Sequence, residues 1–217
     1  MPAAKYFVTT AGNIGAGKSS LARLIAQRLD WHAWYESVDD NPYLADFYGN
    51  MHRWSFHLQV FFVGHRAEQH LRLAEYPTSV IQDRTIYEDR HIFAPALHRL
   101  GNLSDRDFDT YVRLYDLVVS RLPAPSLLIY LRSSVDTLLA RIGQRGRGIE
   151  SGITADYLTL LNQLYEEWIP SFDLCPVLTV PSDRLDFVRH ERHLNTISER
   201  ILDRLWGREE IVFPDDR

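Results

Sequence analysis

The segment Gly12-Asn13-Ile14-Gly15-Ala16-Gly17-Lys18-Ser19 constrains this chain more than any other. It satisfies the phosphate-loop pattern G-x-x-x-x-G-K-[ST], and its flanks suit the mechanism behind that pattern. Before it runs Tyr6-Phe7-Val8-Thr9-Thr10, a β-branched and aromatic stretch that reads as a strand. After it comes a helical pattern with Leu21, Leu24, Ile25 and Leu29 on one face. A strand, a glycine loop and a helix in that order present consecutive backbone N–H groups and a positive helix end to an anion. Lys18 is expected to reach the outer phosphates, and the Ser19 hydroxyl to bind Mg²⁺, so the site suits a nucleoside triphosphate.

Further short apolar runs occur at Ala33–Tyr35, Ser79–Asp83, Ser126–Leu131 and Val177–Val180, with long helical stretches between them. Continuous apolar strands separated by amphipathic helices imply an α/β fold, a parallel sheet of about five strands covered on both faces. Helical spacing is clearest from Tyr157 through Leu161, Leu164 and Trp168, and again through Leu194, Ile197, Ile201 and Leu205. The longest helix expected, Met51 to about Glu75, carries Trp54, Phe56, Phe61 and Phe62 on more than one side. That spare aromatic surface predicts packing against a second copy, a homodimer.

The 217 residues show no internal repeat and no linker, so residues 1–217 read as a single domain. With 24 Lys+Arg against 29 Asp+Glu the net charge is −5, which disfavours polymer nucleic acid and a membrane surface as partners. The one cysteine, Cys175, allows no internal disulfide, and the apolar stretch near the N-terminus is short for a signal peptide or anchor, so a cytoplasmic protein is expected. Cys175 reads as a small buried apolar residue. The histidine pairs His52/His57 and His65/His70 read as helix-surface residues rather than metal ligands.

Phosphate loops serve GTPases, motors and small-molecule kinases alike. The chain lacks an N-K-x-D guanine reader and is short for a motor domain, which leaves a kinase acting on a small hydroxyl compound in front.

Several further elements then appear in a fixed order: Gly12–Ser20 as GNIGAGKSS, Glu36-Ser37-Val38, Asn41–Leu44 with Phe47-Tyr48, Trp54–Gln59, Asp83–Asp89 as DRTIYED, and the arginine-rich Arg141–Glu150. Together they resemble the deoxyribonucleoside kinase family, most nearly its bacterial deoxyadenosine/deoxyguanosine kinase branch, from about residue 6 to about residue 187. The resemblance implies a P-loop kinase fold with an arginine-rich lid at about 141–152, and transfer of the γ-phosphoryl of ATP, with Mg²⁺, to a nucleoside 5′-OH in nucleotide salvage.

Alone, Glu36 reads as a solvated loop carboxylate beside Asp39 and Asp40. At the end of the second strand, though, it lies at the sheet edge where ligands bind, and with the resemblance it becomes the expected general base. Asp83 ends a strand, a position from which a carboxylate meets Mg²⁺ directly or through water. Arg84 is expected to orient the base and hold the moving phosphoryl group. This chain has Asp and Thr at 83 and 85 where many relatives have Glu and Ser.

Gln59 and Arg66 are seven residues apart and share a helix face, and Asp89 and Phe93 form an i, i+4 pair. The resemblance makes Gln59, Arg66 and Asp89 base readers and Phe93 the stacking ring. An Arg66–Asp89 pair offers charged donors and acceptors to a purine, which is the inferred acceptor, with deoxycytidine still open. Tyr48 and Glu150 are implied at the sugar 3′-OH, and Ile14 where a ribose 2′-OH would lie.

Three arginines, Arg141, Arg145 and Arg147, alternate with glycines in a way that suits a mobile flap over the triphosphate. Asp186 and Phe187 resemble the family's loop near the donor adenine. Two other readings stay open: a nucleoside monophosphate kinase, which would need more arginines near Gln59 and Asp89, and a nucleotide sensor without acceptor chemistry.

Overall fold

The computed structural model describes residues 5–35, 41–146 and 152–206. Five parallel strands form one sheet in the order β2-β3-β1-β4-β5: β1 Phe7–Gly12, β2 His32–Trp34, β3 Val80–Asp83, β4 Leu127–Arg132 and β5 Val177–Pro181. Central β1 is buried along its whole length, as a strand covered on both faces must be. Alternation along β4 feeds two cores. Leu127, Ile129 and Leu131 pack with Leu21, Ile25, Leu138 and Ile201 on one face, while Leu128 and Tyr130 pack with Val63, Tyr111, Leu161 and Tyr165 on the other.

Eight helices cover the sheet among the described residues: α1 Lys18–Leu29, α2 Leu44–Gly49, α3 Met51–Ala74, α4 Ala94–Arg99, α5 Asp105–Val119, α6 Val135–Arg145, α7 Ala155–Trp168 and α8 Glu191–Trp206. Their starts carry the expected chemistry. Asn50, Ser104, Ser134 and Thr154 each accept the backbone N–H three residues on, at 3.1, 3.2, 3.3 and 3.2 Å, and so cap α3, α5, α6 and α7. None of the described helices is long and apolar enough to cross a membrane.

Four local expectations are corrected. Arg141 and Arg145, expected in a flap, lie on α6, where buried Leu138 and Ile142 hold the helix down and Gly146 ends it in a left-handed turn at φ 62°. Asp89–Phe93 forms a single π-helical turn ahead of α4 rather than plain α-helix. His70 is buried, not on the surface: its Nε2 lies 2.7 Å from the Pro123 carbonyl, its ring meets Phe7 edge-on, and burial lowers its pKa. Of the α3 rings, Trp54, Phe56 and Phe62 are partly buried against the chain's own Phe47, Leu58, Leu97 and Leu103, and Phe61 stacks on His65, so less of that aromatic surface is spare than expected.

Candidate active site

β1 hands the chain to the loop at the carboxyl edge of the sheet, between strands whose connections depart to opposite sides, the usual place for a ligand crevice. Two loop glycines are required by space. A Cβ on Gly12 (φ 149°) would stand 2.7 Å from the Leu131 carbonyl oxygen, and one on Gly15 (φ 84°) would stand 2.9 Å from Ile142 Cγ1. Gly17 begins α1 with no side-chain cap, which leaves the first N–H groups of the helix turned toward the crevice. The Lys18 ammonium arches back over the loop and donates to the Gly12 and Asn13 carbonyls at 2.6 and 3.2 Å.

The loop is tied down from three directions. Asn13 turns its amide away from the crevice, donating to the Leu158 carbonyl and to Asn162 on α7 at 2.9 and 2.8 Å. Arg141 donates to the Ala16 carbonyl at 3.0 Å, and to Ser182 Oγ and the Ser182 carbonyl at 3.1 and 2.8 Å, strapping the loop to the segment after β5. Glu88, wholly buried, accepts the Gly12 N–H at 3.0 Å.

A cleft of about 1590 Å³ opens from this loop. The end next to the loop is lined by Ile14, Gly15, Gly17, Lys18, Ser19 and Ser20 together with Arg141, Arg145, Asp186 and Phe187. Phe187 is buried, and its ring would be the nearest neighbour, at 3.4 Å, of a Cβ on Gly17. Asp186 accepts from the Val188 and Arg189 N–H groups at 3.2 and 2.9 Å; the second of these bonds is the main cause of its lowered pKa. Gly12, Asn13 and Ala16 lie beneath the cleft surface and shape it from behind.

At the middle stand Asp83, buried at the end of β3, and Arg84. Arg84 leaves the strand in the left-handed region at φ 72°, rare for a residue with a side chain, with its N–H on Thr10 Oγ1 at 3.3 Å. Its guanidinium lies 4.0 Å from the centre of the Phe93 ring, so one face of that ring is already covered by a cation.

The far end is mostly apolar, with Leu44, Phe47, Leu58, Phe62 and Leu97 around Tyr48, Gln59, Asp89 and Phe93. Arg66 lies behind this wall, buried, with its guanidinium paired to Asp89 and 4.1 Å from the Phe62 ring centre. Gln59 Oε1 and Asp89 Oδ2 are buried acceptors with no hydrogen-bond partner among the described residues. Tyr48 is exposed at the cleft mouth. Glu36, Arg147 and Glu150 lie outside the described residues.

Spacing did not point to three contributors. Tyr157 lines the cleft, its hydroxyl pKa pushed up to about 12 by burial against the opposing pull of Arg84. Glu88 and Tyr165 sit under the loop. The signal available for Tyr165 was its place on the apolar face of α7; Glu88 fell within the motif Asp83–Asp89, which gave it no role.

The family model described as "Deoxynucleoside kinase" matches residues 8–205. The chain belongs to the deoxynucleoside kinase family. The kinase is 38% identical over 196 residues to a deoxyadenosine/deoxycytidine kinase of Bacillus subtilis, covering 89% of this chain and 90% of that one. It is 34% identical over 199 residues to a deoxyguanosine kinase of the same organism, covering 90% and 95%. Among solved structures, deoxyadenosine kinase from M. mycoides with products dCMP and a flexible dCDP bound superposes with a TM-score of 0.80 at 31% identity, over 90% of this chain and 98% of that one. The same enzyme with bound dATP gives 0.78 at 30% identity over the same shares. Sheet, flanking helices and enzyme class thus agree: the chain is a kinase of deoxynucleosides.

Proposed function

We propose that the kinase transfers the γ-phosphoryl of ATP to the 5′-OH of a purine deoxynucleoside, deoxyadenosine or deoxyguanosine, in nucleotide salvage. The observation that carries this reading is the pair of buried, unpartnered acceptors, Gln59 Oε1 and Asp89 Oδ2, at the apolar end of the cleft that the phosphate loop opens. A buried acceptor without a donor costs about 1–3 kcal/mol, so the site favours a ring edge rich in N–H groups. The adenine amino group and the N1–H and amino group of guanine supply them; thymine offers a single N–H between two carbonyls. Cytosine also carries an amino group. Deoxycytidine is therefore the second acceptor, and the relative that accepts both deoxyadenosine and deoxycytidine supports it.

In this reading the loop N–H groups and Lys18 hold the ATP phosphates, and Arg141, Arg145 and Arg147 add positive charge beside them. Asp186 and Phe187 lie by the donor base. Glu36 takes the 5′-OH proton, Arg84 steadies the moving group, Tyr48 and Glu150 hold the 3′-OH, and Ile14 disfavours a 2′-OH. Mg²⁺ fits Ser19 and Asp83, two hard oxygen donors, since this ion takes one or two protein oxygens and fills its shell with phosphate and water. Mg²⁺ would neutralise charge between the phosphates.

The reading extends to one domain over residues 1–217, a cytoplasmic setting and a homodimer. For the dimer, the support moves from aromatic residues to the exposed Leu71 of α3 and Leu114 and Leu117 of α5, on helices that pack together. ADP release with ATP, Mg²⁺ and each of the four deoxynucleosides tests the assignment. Deoxyadenosine or deoxyguanosine should give the highest kcat/KM, and thymidine a value lower by at least about 100-fold. Thymidine as best substrate would overturn the base site.

A further inference from the structure

Glu88 lies between the two halves of the site without lining either. It is wholly buried and is not among the residues of the cleft wall. Oε1 accepts the Gly12 N–H at 3.0 Å and the Tyr165 hydroxyl, and Oε2 accepts the Thr85 N–H at 3.1 Å. Gly12 opens the phosphate loop, Thr85 follows Arg84, and Asp89 is the next residue in the chain. One carboxylate thus joins the donor loop, the turn carrying Arg84 and Asp89, and helix α7.

We propose that Glu88 is a positioning residue for phosphoryl transfer, a clamp that sets the distance between the loop holding the donor and the turn holding the acceptor. Packing alone does not call for a charge at this point. A buried carboxylate is unfavourable unless donors satisfy its oxygens, and here three do. What a carboxylate provides there is four acceptor sites on two oxygens, enough for three donors from three segments at once. Leucine would fill the volume and hold none of them.

Tyr165 completes the clamp from outside. Burial and the adjacent Glu88 carboxylate raise its pKa well above the ordinary phenol value, so the hydroxyl keeps its proton and donates. The same helix holds Asn13 through Leu158 and Asn162, so α7 grips the loop at two successive residues, Gly12 by way of Glu88 and Asn13 directly. In-line transfer needs reacting atoms within about 3–3.5 Å, and a displacement of 1 Å costs on the order of 100-fold in rate. Glu88 is where such a displacement is prevented.

The inference rests on the acceptor being held at the Asp89 turn, and its test separates the two ideas. In Glu88→Gln the amide nitrogen opposes the Thr85 N–H, donor against donor, so turn and loop part. Turnover is expressed per ATP-binding site, counted by titration calorimetry, which removes any unfolded fraction from the comparison. The expected result is a kcat lower by about 30–100-fold, with KM for ATP and for the best deoxynucleoside each within about threefold. Tyr165→Phe keeps the carboxylate and loses one bond; kcat should fall about 3–10-fold with the same unchanged KM values, and the double variant should be no slower than Glu88→Gln alone. If Glu88→Gln does not fold, Tyr165→Phe carries the test. A kcat per site within twofold of wild type in whichever variant is read overturns the clamp. Wild-type preference for thymidine would instead defeat the base site and leave this comparison intact.

Discussion

Arg66 keeps its charge at 4% side-chain exposure, which requires compensation at close range. Asp89 supplies it from one side and the Phe62 ring from another. Removing one member of a buried pair costs about 3–5 kcal/mol, whereas replacing both with apolar groups is close to neutral. Asp89→Ala should therefore lower unfolding free energy in urea by about 3–5 kcal/mol and shift substrate preference toward pyrimidines. The double variant Arg66→Met/Asp89→Leu should regain most of the stability and none of the purine turnover. That contrast separates the pair's role in folding from its role in reading a base. At this scale, the meeting of Arg66 and Asp89 was legible through the family resemblance, which brought both to one base-reading face, and through the mutual attraction of the two charges. Glu88 was not, because a lone Glu between Tyr87 and Asp89 looks like any solvated carboxylate, and its three donors come from positions 12, 85 and 165.

Strand β1 and the loop that follows it form an element in which a missing side chain at Gly12 lets the backbone lie against β4. A Cβ on Gly12 would meet the Leu131 carbonyl oxygen at 2.7 Å and Ala16 Cβ at 3.3 Å, both on rigid backbone. Gly12→Ala must push the loop off β4, and the Gly12 N–H off Glu88. The expected outcome is a KM for ATP raised at least tenfold, read in the ADP-release assay, with a stability loss of about 1–3 kcal/mol. Gly101→Ala is the matched control: φ is 72° but nothing lies within 4 Å of the added carbon, so it costs about 1 kcal/mol and leaves KM alone. Elements made of short apolar runs were readable because a buried parallel strand has only one composition. The helical placement of Arg141 and Arg145 was harder to see, since glycine lowers helix propensity by only about 1 kcal/mol and two buried side chains, Leu138 and Ile142, outweigh it. The π-turn at Asp89 has no sequence signature of its own; it packs against α3 and α7, elements distant in the chain.

Across the whole molecule, stability should depend on pH through histidines that the fold keeps neutral. His91 stacks on Trp168 with ring centres 5.3 Å apart and planes 5° from parallel. Burial, reinforced by neighbouring Arg90, pushes its pKa down to about 4 from 6.5. Folded His91 thus takes up a proton only near pH 4, while the unfolded chain does so near pH 6.5. Between those values the unfolded state binds more protons, so the fold is at full stability above pH 6.5 and loses it as pH falls toward 4. Buried His70, whose pKa is also lowered by desolvation, pulls in the same direction. Urea unfolding at pH 7.5 and 4.5 should show the decline, and His91→Phe, which preserves the stacking on Trp168, should make it smaller by about 2–3 kcal/mol. An unchanged difference would mean that His91 is protonated in the folded state, and the stacked pair would then owe its place to cation–π attraction rather than to burial of a neutral ring.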